Sequence, residues 1–414
     1  MKTTPVKGTA DYLPSEVRIR DYLQSTILDT YTRCGFERIT TPIIEDVENL
    51  DKSDGGENLN LIFKILKRGE KLDEAIASGD PKELCDMGLR YDLTLPLTRY
   101  YSNNRARLPL PFKVIQLDRV YRAERPQKGR MREFVQCDID IIGSDSYTAE
   151  VELINTTAKA LKNIGFDNFN IHINDRRLLK AIITGAGFDE TDCDSVCISL
   201  DKLDKIDAAG VGEELVAKGF SSENTERLMN ELADNKLTLD RAAALCGEQD
   251  YITNLRRIID ISNSLSDGYQ VVYDPTLVRG QGYYTGTVFE IRSPEFRGAL
   301  GGGGRYDNLI GKFLGEQIPA VGFSIGFERI AGILLEHGYK IPTARERAAV
   351  IYQDESFESA LRLAEQLRQS YDVTLAAQPK KLGKLLSRLE EAGYTCYYNM
   401  SDPEPTIHPL GKKD

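Results

Sequence analysis

The chain is 414 residues long, 41% apolar and 28% charged, with a formal net charge of −11. That length predicts two or three domains with cores of their own. The acidic balance argues against a surface coated in nonspecific nucleic-acid-binding charge but leaves room for a local basic patch. The opening "MKTTPVKGTADYLPSEVRIR" holds no apolar run, and no stretch approaches the roughly eighteen apolar residues of a membrane helix. The expectation is a chain with neither export signal nor anchor.

In chain order, helical apolar spacing over 14–34, with Ser15 as cap and Gly35 as stop signal, predicts a first helix. "FERITTPII" reads as a strand ending at Pro42, "NLIFKILKRGEKL" as a short hairpin, and "LRYDLTLPLTRYYS" as a strand turning into a helix near Pro96. "FKVIQLDRVYRAE" and "REFVQCDIDIIG", separated by "RPQKGRM", predict a long antiparallel hairpin with a basic tip. A helix closing on Gly165 and the strand "NFNIHIN" follow. Residues 176–258 turn charged, helical and weakly patterned, as a helical insertion would. Strand signals return in "YQVVYD", "YYTGTVFEIRS" and "GALGGGGRYDNLI", before a helix in "SIGFERIAGILLEHG". From about 345, alternating strand and helix patterns predict a small parallel α/β domain. The organisation expected is an α+β body in two parts, 1–175 and 259–335, with an insertion over 176–258 and a domain over 345–414.

The seven cysteines (34, 85, 137, 193, 197, 246 and 396) follow neither metal nor disulfide spacing. They read as reduced thiols in a cytoplasmic protein, Cys193 and Cys197 as structural ones. The three histidines, His172, His337 and His408, lie beside no Ser, Cys or Gly-rich motif. Chemistry must therefore run on arginines and carboxylates.

The charge of the long hairpin is concentrated. Arg119, Arg122, Arg125, Lys128, Arg130 and Arg132 crowd its tip, and Gln136, Asp138 and Asp140 alternate with Val135, Ile139 and Ile141. Strand alternation puts the polar set on one face, where buried carboxylates need a cation or a donor. Arginine's planar fork suits phosphate. Cross-strand ion pairs on a solvated face would explain such a hairpin standing alone. It is joined by Arg279 beside two tyrosines in "LVRGQGYYTGTVFE", by four glycines and Arg305 in "GALGGGGRYDNL", and by Arg329 in "AVGFSIGFERI". Glycines on a strand let a flat group lie against the backbone.

Taken in order, these motifs resemble histidyl-tRNA synthetase, a class II aminoacyl-tRNA synthetase. The resemblance runs from "GTADYLP" to "GFERI" and continues more loosely beyond. "GFERITTPIIE", "YRAERPQKGRMREFVQCDIDIIG" and "AVGFSIGFERI" are similar to the three class II motifs. "RYDLT", "VRGQGYYTGTVFE" and "GGGGRYDNL" are similar to the histidine-specific ones. The resemblance implies a class II antiparallel sheet flanked by helices, a homodimer, and a cytoplasmic ligase that uses ATP and Mg2+ to join histidine to tRNA. It implies catalytic roles for Arg122, Arg279 and Arg329. ATP would meet Arg122 at the α-phosphate, Glu124 at the adenine edge, and Arg130 and Arg329 at the outer phosphates. Histidine would meet Asp92, Thr94, Gln136, Asp140, Arg279, Tyr283, Tyr284 and Tyr306, and the tRNA acceptor end Arg125 and Gln127.

Two features depart from the family pattern. Gln281 and Gly282 stand where it has an apolar residue and a carboxylate, and after the tail "YTCYYNMSDPEPTIHPLGKKD" the last strand and helix expected of an anticodon-binding domain are missing. The tail's three prolines make a regular helix unfavourable there. The shortened tail leaves open a second reading, the non-catalytic, histidine-binding regulatory subunit of ATP phosphoribosyltransferase.

Overall fold

The structure, a computed structural model, describes residues 2–51, 61–126, 129–232, 237–279, 283–404 and 406–411, the side chains of 204 and 205 excepted. Gln127, Lys128, Gln281 and Gly282 lie outside the described residues. The chain divides into two compact units, Met1–Tyr12 with Arg20–His337, and Leu13–Ile19 with Gly338–Asp414.

The first helix, Pro14–Arg33, begins one residue before the expected cap. The Glu16 carboxylate accepts the Leu13 N–H at 2.8 Å, so the cap comes from the first turn rather than from Ser15. Leu23, Ile27 and Tyr31, four residues apart, share its buried face.

The strands of the first unit are β1 (Glu37–Arg38), β2 (Ile44–Asp46), β3 (Lys64–Leu66), β4 (Cys85–Leu89), β5 (Phe112–Tyr121), β6 (Glu133–Ile142), β7 (Asn170–Asp175), β8 (Val271–Tyr273), β9 (Thr287–Ser293), β10 (Phe296–Arg305) and β11 (Ala320–Gly326). Among the described residues, eight form one sheet in the order β1-β5-β6-β11-β10-β9-β7-β8. Its middle is antiparallel, and β1 and β8 join the edges in parallel. Helices Thr148–Asn163 and Asp250–Leu265 pack on this sheet and on each other. Leu97, Phe112, Val114, Ile142, Ile310 and Ala320 form one of its buried clusters. Each such large apolar side chain contributes about 1.5–3 kcal/mol when fully buried.

A smaller sheet, β2-β4-β3, stands beside it. Here the expected hairpin in "NLIFKILKRGEKL" is corrected. β3 pairs with β4, while Glu70–Ser78 between them is a helix. Gly69, at φ 58°, turns the chain out of the strand, and three residues of alternation were too few to identify a partner. The described residues of 176–258 are largely helical, in Arg176–Gly185, Cys193–Leu200, Leu203–Ala217, Ser222–Leu232, Leu239–Cys246 and the start of Asp250–Leu265. The cysteines are all free thiols. Among the described residues no helix is long and apolar enough to cross a membrane.

In the second unit β12 (Arg347–Tyr352) pairs in parallel with β13 (Asp372–Ala377) and β14 (Cys396–Asn399). Val350, Ala360 and Ala364 are buried between this sheet and helix Phe357–Leu367. The tail holds a short strand that its sequence does not announce. Ile407–Pro409 forms β15, antiparallel to β14. Pro409 sits opposite Cys396 at the sheet edge, where a residue without an N–H is tolerated. His408 holds the turn, stacking on Tyr397 at 4.8 Å with Nε2 2.7 Å from Asp402.

Candidate active site

Cross-strand register assembles the site in rows. Asp138 on β6 stands opposite Ser324 on β11, Ser324 opposite Gly302 on β10, Gly302 opposite Glu290 on β9, and Glu290 opposite His172 on β7. The next row on that face runs Asp140, Gly322, Gly304, Val288. Gly322 is required: a Cβ there would collide with Asp140 Oδ1.

At one end of these rows the acids collect. Asp138 and Asp140 are each 5% exposed. Burial and the adjacent Asp140 push Asp138 well above the usual carboxylate range. Burial lifts Asp140 to about 7, although the Tyr306 hydroxyl donates to its Oδ1 at 2.5 Å and pulls the other way. Asp92 is raised by desolvation, against the Leu95 N–H, 3.2 Å from its Oδ1, and the charge of Arg122. Thr94 starts the helix Thr94–Asn104 that Asp92 leads into. Gln136 donates from Nε2 towards Asp138 at 3.3 Å and Ser324 at 3.4 Å, and its Oε1 is buried without a partner. A buried acceptor left open costs free energy until a donor arrives, and acids held partly neutral gain from a cation. The pocket is built for a group that is both donor and cation. The rings of Tyr283 and Tyr284 lie 4.3 Å apart, tilted by 50°, and Tyr283 meets Tyr306 edge to face, their hydroxyls kept neutral by burial.

At the other end are the guanidinium groups. Arg122 donates from Nε to the Tyr91 carbonyl at 2.9 Å and lies over the Phe134 ring at 5.1 Å. Arg279 lies on the bare backbone of Gly302, where a Cβ would come within 2.5 Å of its Nη1. It pairs with Glu290 at 2.7 Å. Desolvation is the largest single influence and opposes its charge, but Glu290 together with Tyr284 and Tyr283 more than offsets it and raises the guanidinium. Arg329 donates to the carbonyls of Gly129 and Ala299 and lies over Phe296. Burial and the like charges of Arg130 and Arg279 lower it. These cations repel one another across a space that a polyanion would neutralise. Arg130 pairs with Glu124 at 3.2 Å. Arg125 is exposed at the hairpin tip, and Gln127, the other residue expected to meet tRNA, is outside the described residues.

The expected site residues thus fall in two neighbouring clusters of one face, Asp92, Thr94, Gln136, Asp140 and the tyrosines in one, Arg122, Arg279, Arg329, Arg130 and Glu124 in the other. Arg305 is elsewhere. Alternation after Gly304 turns it to the opposite face, where it meets Glu150 with two hydrogen bonds of 2.7 Å. Glu290 was overlooked, although "TVFEIRS" carries an acid and a base two residues apart. Glu328, next to Arg329, proves structural, taking both Arg20 nitrogens at 2.7 Å and the Val135 N–H at 3.2 Å.

Comparison with known proteins gives a consistent result. Residues 8–330 match the family model for histidyl-tRNA synthetase. The histidine–tRNA ligase of Leifsonia xyli is 39% identical, over 98% of this chain and 96% of that protein. The crystal structure of histidyl-tRNA synthetase from Nostoc superposes with a TM-score of 0.80 at 26% identity, covering 99% and 97% of the two chains. A Bacillus halodurans structure described as an ATP phosphoribosyltransferase regulatory subunit/histidyl-tRNA synthetase superposes with a TM-score of 0.77 at 22% identity, covering 96% and 97%, which is a likeness of fold.

Proposed function

This chain belongs to the histidyl-tRNA synthetase family, and from that premise we propose how its residues divide the work. The protein is a histidine–tRNA ligase, an ATP-dependent enzyme that activates histidine and joins it to tRNA. The reading as a non-catalytic regulatory subunit is the weaker one. It drew on a shortened tail, whereas curated relatives that match over most of this chain are histidine–tRNA ligases.

The observation that carries the assignment of roles is the buried, unpartnered Oε1 of Gln136 among Asp92, Asp138 and Asp140. In this reading Gln136, Asp92 and Thr94 receive the ammonium of histidine. Asp140, held by Tyr306 and flanked by Tyr283 and Tyr284, grips the imidazole. An apolar analogue would leave these groups unpaired in a dry pocket, and such sites discriminate strongly. The substrate carboxylate is already ionised at neutral pH and needs no base. Its oxygen forms a bond to the α-phosphorus of ATP as the bond to pyrophosphate breaks, and no proton moves. Alignment and relief of anion–anion repulsion are what the site must supply. Arg122 and Arg279 supply them, with Arg130 and Arg329 on the outer phosphates and Glu124 at the adenine. A terminal ribose hydroxyl of tRNA, guided by Arg125 and Gln127, then attacks the acyl carbon as the acyl–oxygen bond to AMP breaks, and its proton passes to the departing phosphate.

Among the described residues no group of three or more His, Cys, Asp or Glu could hold a metal ion, and Glu290 is engaged by Arg279 and Arg292. Magnesium is therefore read as entering with ATP, on the polyphosphate. A homodimer fits the surface as well. Around β2, β3 and β4, the apolar residues Ile43, Ile44, Leu66 and Met87 are 39%, 50%, 54% and 39% exposed, a patch that a two-fold contact would cover.

The test is histidine-dependent exchange of pyrophosphate into ATP, with Arg279→Ala as the control. Exchange in the wild type and its loss in the variant support the roles. Near-normal exchange in Arg279→Ala would remove Arg279 from the chemistry.

A further inference from the structure

A line of alternating charge leads away from Arg279 across residues that neither substrate would touch. Glu290 divides its oxygens: Oε2 accepts from Arg279 Nη1 at 2.7 Å, and Oε1 from Arg292 Nε at 2.7 Å. Arg292 is two residues further along β9 and so on the same face. Its Nη1 lies 2.9 Å from Asp274 Oδ2. That same oxygen is 3.0 Å from His172 Nδ1, and Asp274 Oδ1 accepts the Thr276 hydroxyl at 2.6 Å. Asp274 is itself tied to the sheet by its N–H, 2.9 Å from the Ile173 carbonyl.

The arrangement answers a mechanical problem. The Arg279 side chain rests on glycine backbone, which offers no wall to hold it. Apart from Glu290, its Nη1 reaches the Gly301 carbonyl at 3.2 Å. A carboxylate bound through one oxygen can rotate about its terminal bond, and rotation would carry the guanidinium with it. Arg292 takes the second oxygen and fixes that plane, and Asp274 holds Arg292 against the pull of the active-site anions.

We infer that Arg292 and Asp274 are positioning residues for the activation step, fixing the Glu290 carboxylate so that Arg279 keeps its place over Gly302. The inference rests on the assignment of Arg279 to that step. A displacement of about 1 Å in such a group can cost a hundredfold in rate.

The experiment compares Arg292→Met, Arg292→Lys and Asp274→Asn with wild type in the full chain. Its readouts are pyrophosphate exchange, the KM for histidine and for ATP, single-turnover transfer from enzyme-bound adenylate to tRNA, and thermal stability. Arg292→Met should lower the kcat of exchange about tenfold or more, leave both KM values within about twofold, and leave transfer unchanged. Arg292→Lys should recover part of the loss, and Arg292→Met combined with Arg279→Ala should be no slower than Arg279→Ala alone. Wild-type exchange in Arg292→Met, equal losses in both half-reactions, or additive losses in the double variant would overturn the inference. Should Arg292→Met not fold, Asp274→Asn, which keeps the shape, decides by the same readouts. Normal exchange in Arg279→Ala would instead fault the parent assignment.

Discussion

The guanidinium of Arg279 occupies the space where a side chain on Gly302 would stand. A methyl group at 302 must displace it, and the displaced atoms are the far end of a flexible side chain, so the sheet need not move. Gly302→Ala should therefore reproduce an Arg279 deletion without touching Arg279. Loss of one positioned electrostatic group costs about a hundredfold or more in rate. Pyrophosphate exchange should fall by that much while the melting temperature stays near the wild type's. An active Gly302→Ala enzyme would show that Arg279 works from another position.

Asp140 sets a pH dependence. Its folded-state value of about 7 lies above the roughly 3.9 of an unfolded aspartate, so the native state holds the proton more tightly. That contribution is fully present below about pH 4 and is lost as pH rises through about 7. It is worth at most about 4 kcal/mol at about 1.4 kcal/mol per pH unit. Asp138, raised for the same reason, acts in the same direction. Urea midpoints of the ligand-free enzyme should fall between pH 5 and 8, and Asp140→Asn should flatten the fall. An unchanged slope in Asp140→Asn would place the titration elsewhere.

Arg125, exposed at the hairpin tip beside the cluster of Arg122, Arg130 and Arg329, is expected to serve only the second half-reaction. Arg125→Ala should spare pyrophosphate exchange and slow transfer to tRNA by about 10- to 100-fold, the worth of roughly 1.5–3 kcal/mol for a charged hydrogen bond. Equal rates of transfer in variant and wild type would mean that tRNA is held by other groups.

The apolar patch predicts a dimer at micromolar concentration in sedimentation experiments. Each residue of an isologous contact appears twice, so Ile44→Asp introduces two charges into one interface and should shift the protein to monomer. A wild-type monomer, or an Ile44→Asp dimer of undiminished affinity, would place the contact elsewhere or dismiss it.

The long hairpin was legible because two ten-residue runs rich in β-branched and apolar residues flank a short polar loop, and Phe112–Tyr121 pairs with Glu133–Ile142 along its whole length. The partition of arginines and acids was legible because the motifs place them at fixed intervals. Less could be read where the pairing is remote. Nothing in "KILKR" says that its partner lies beyond a helix, and nothing in "IRS" says that Arg292 will meet Asp274 from the turn after β8. The glycine run was read as a floor for a flat ligand. In the fold, Gly302 receives Arg279 and Gly304 receives Tyr284, so the enzyme's own side chains lie there. The short "TIHP" strand was missed because the proline count spoke against a helix and was silent about an edge strand.

Gly301 to Gly304 also have a consequence for how this sequence can drift. A Cβ would meet the Ser324 carbonyl at 301, Arg279 at 302, the Gly322 carbonyl at 303 and the Thr287 carbonyl at 304. Three of these collisions, with the carbonyls of Ser324, Gly322 and Thr287, are with backbone that cannot step aside. Four consecutive codons are thus closed, three because a side chain would strike neighbouring backbone and one, at 302, because it would displace Arg279. In a saturation screen this stretch would stand out as sharply as the reacting centre itself, although it offers no side chain to any substrate.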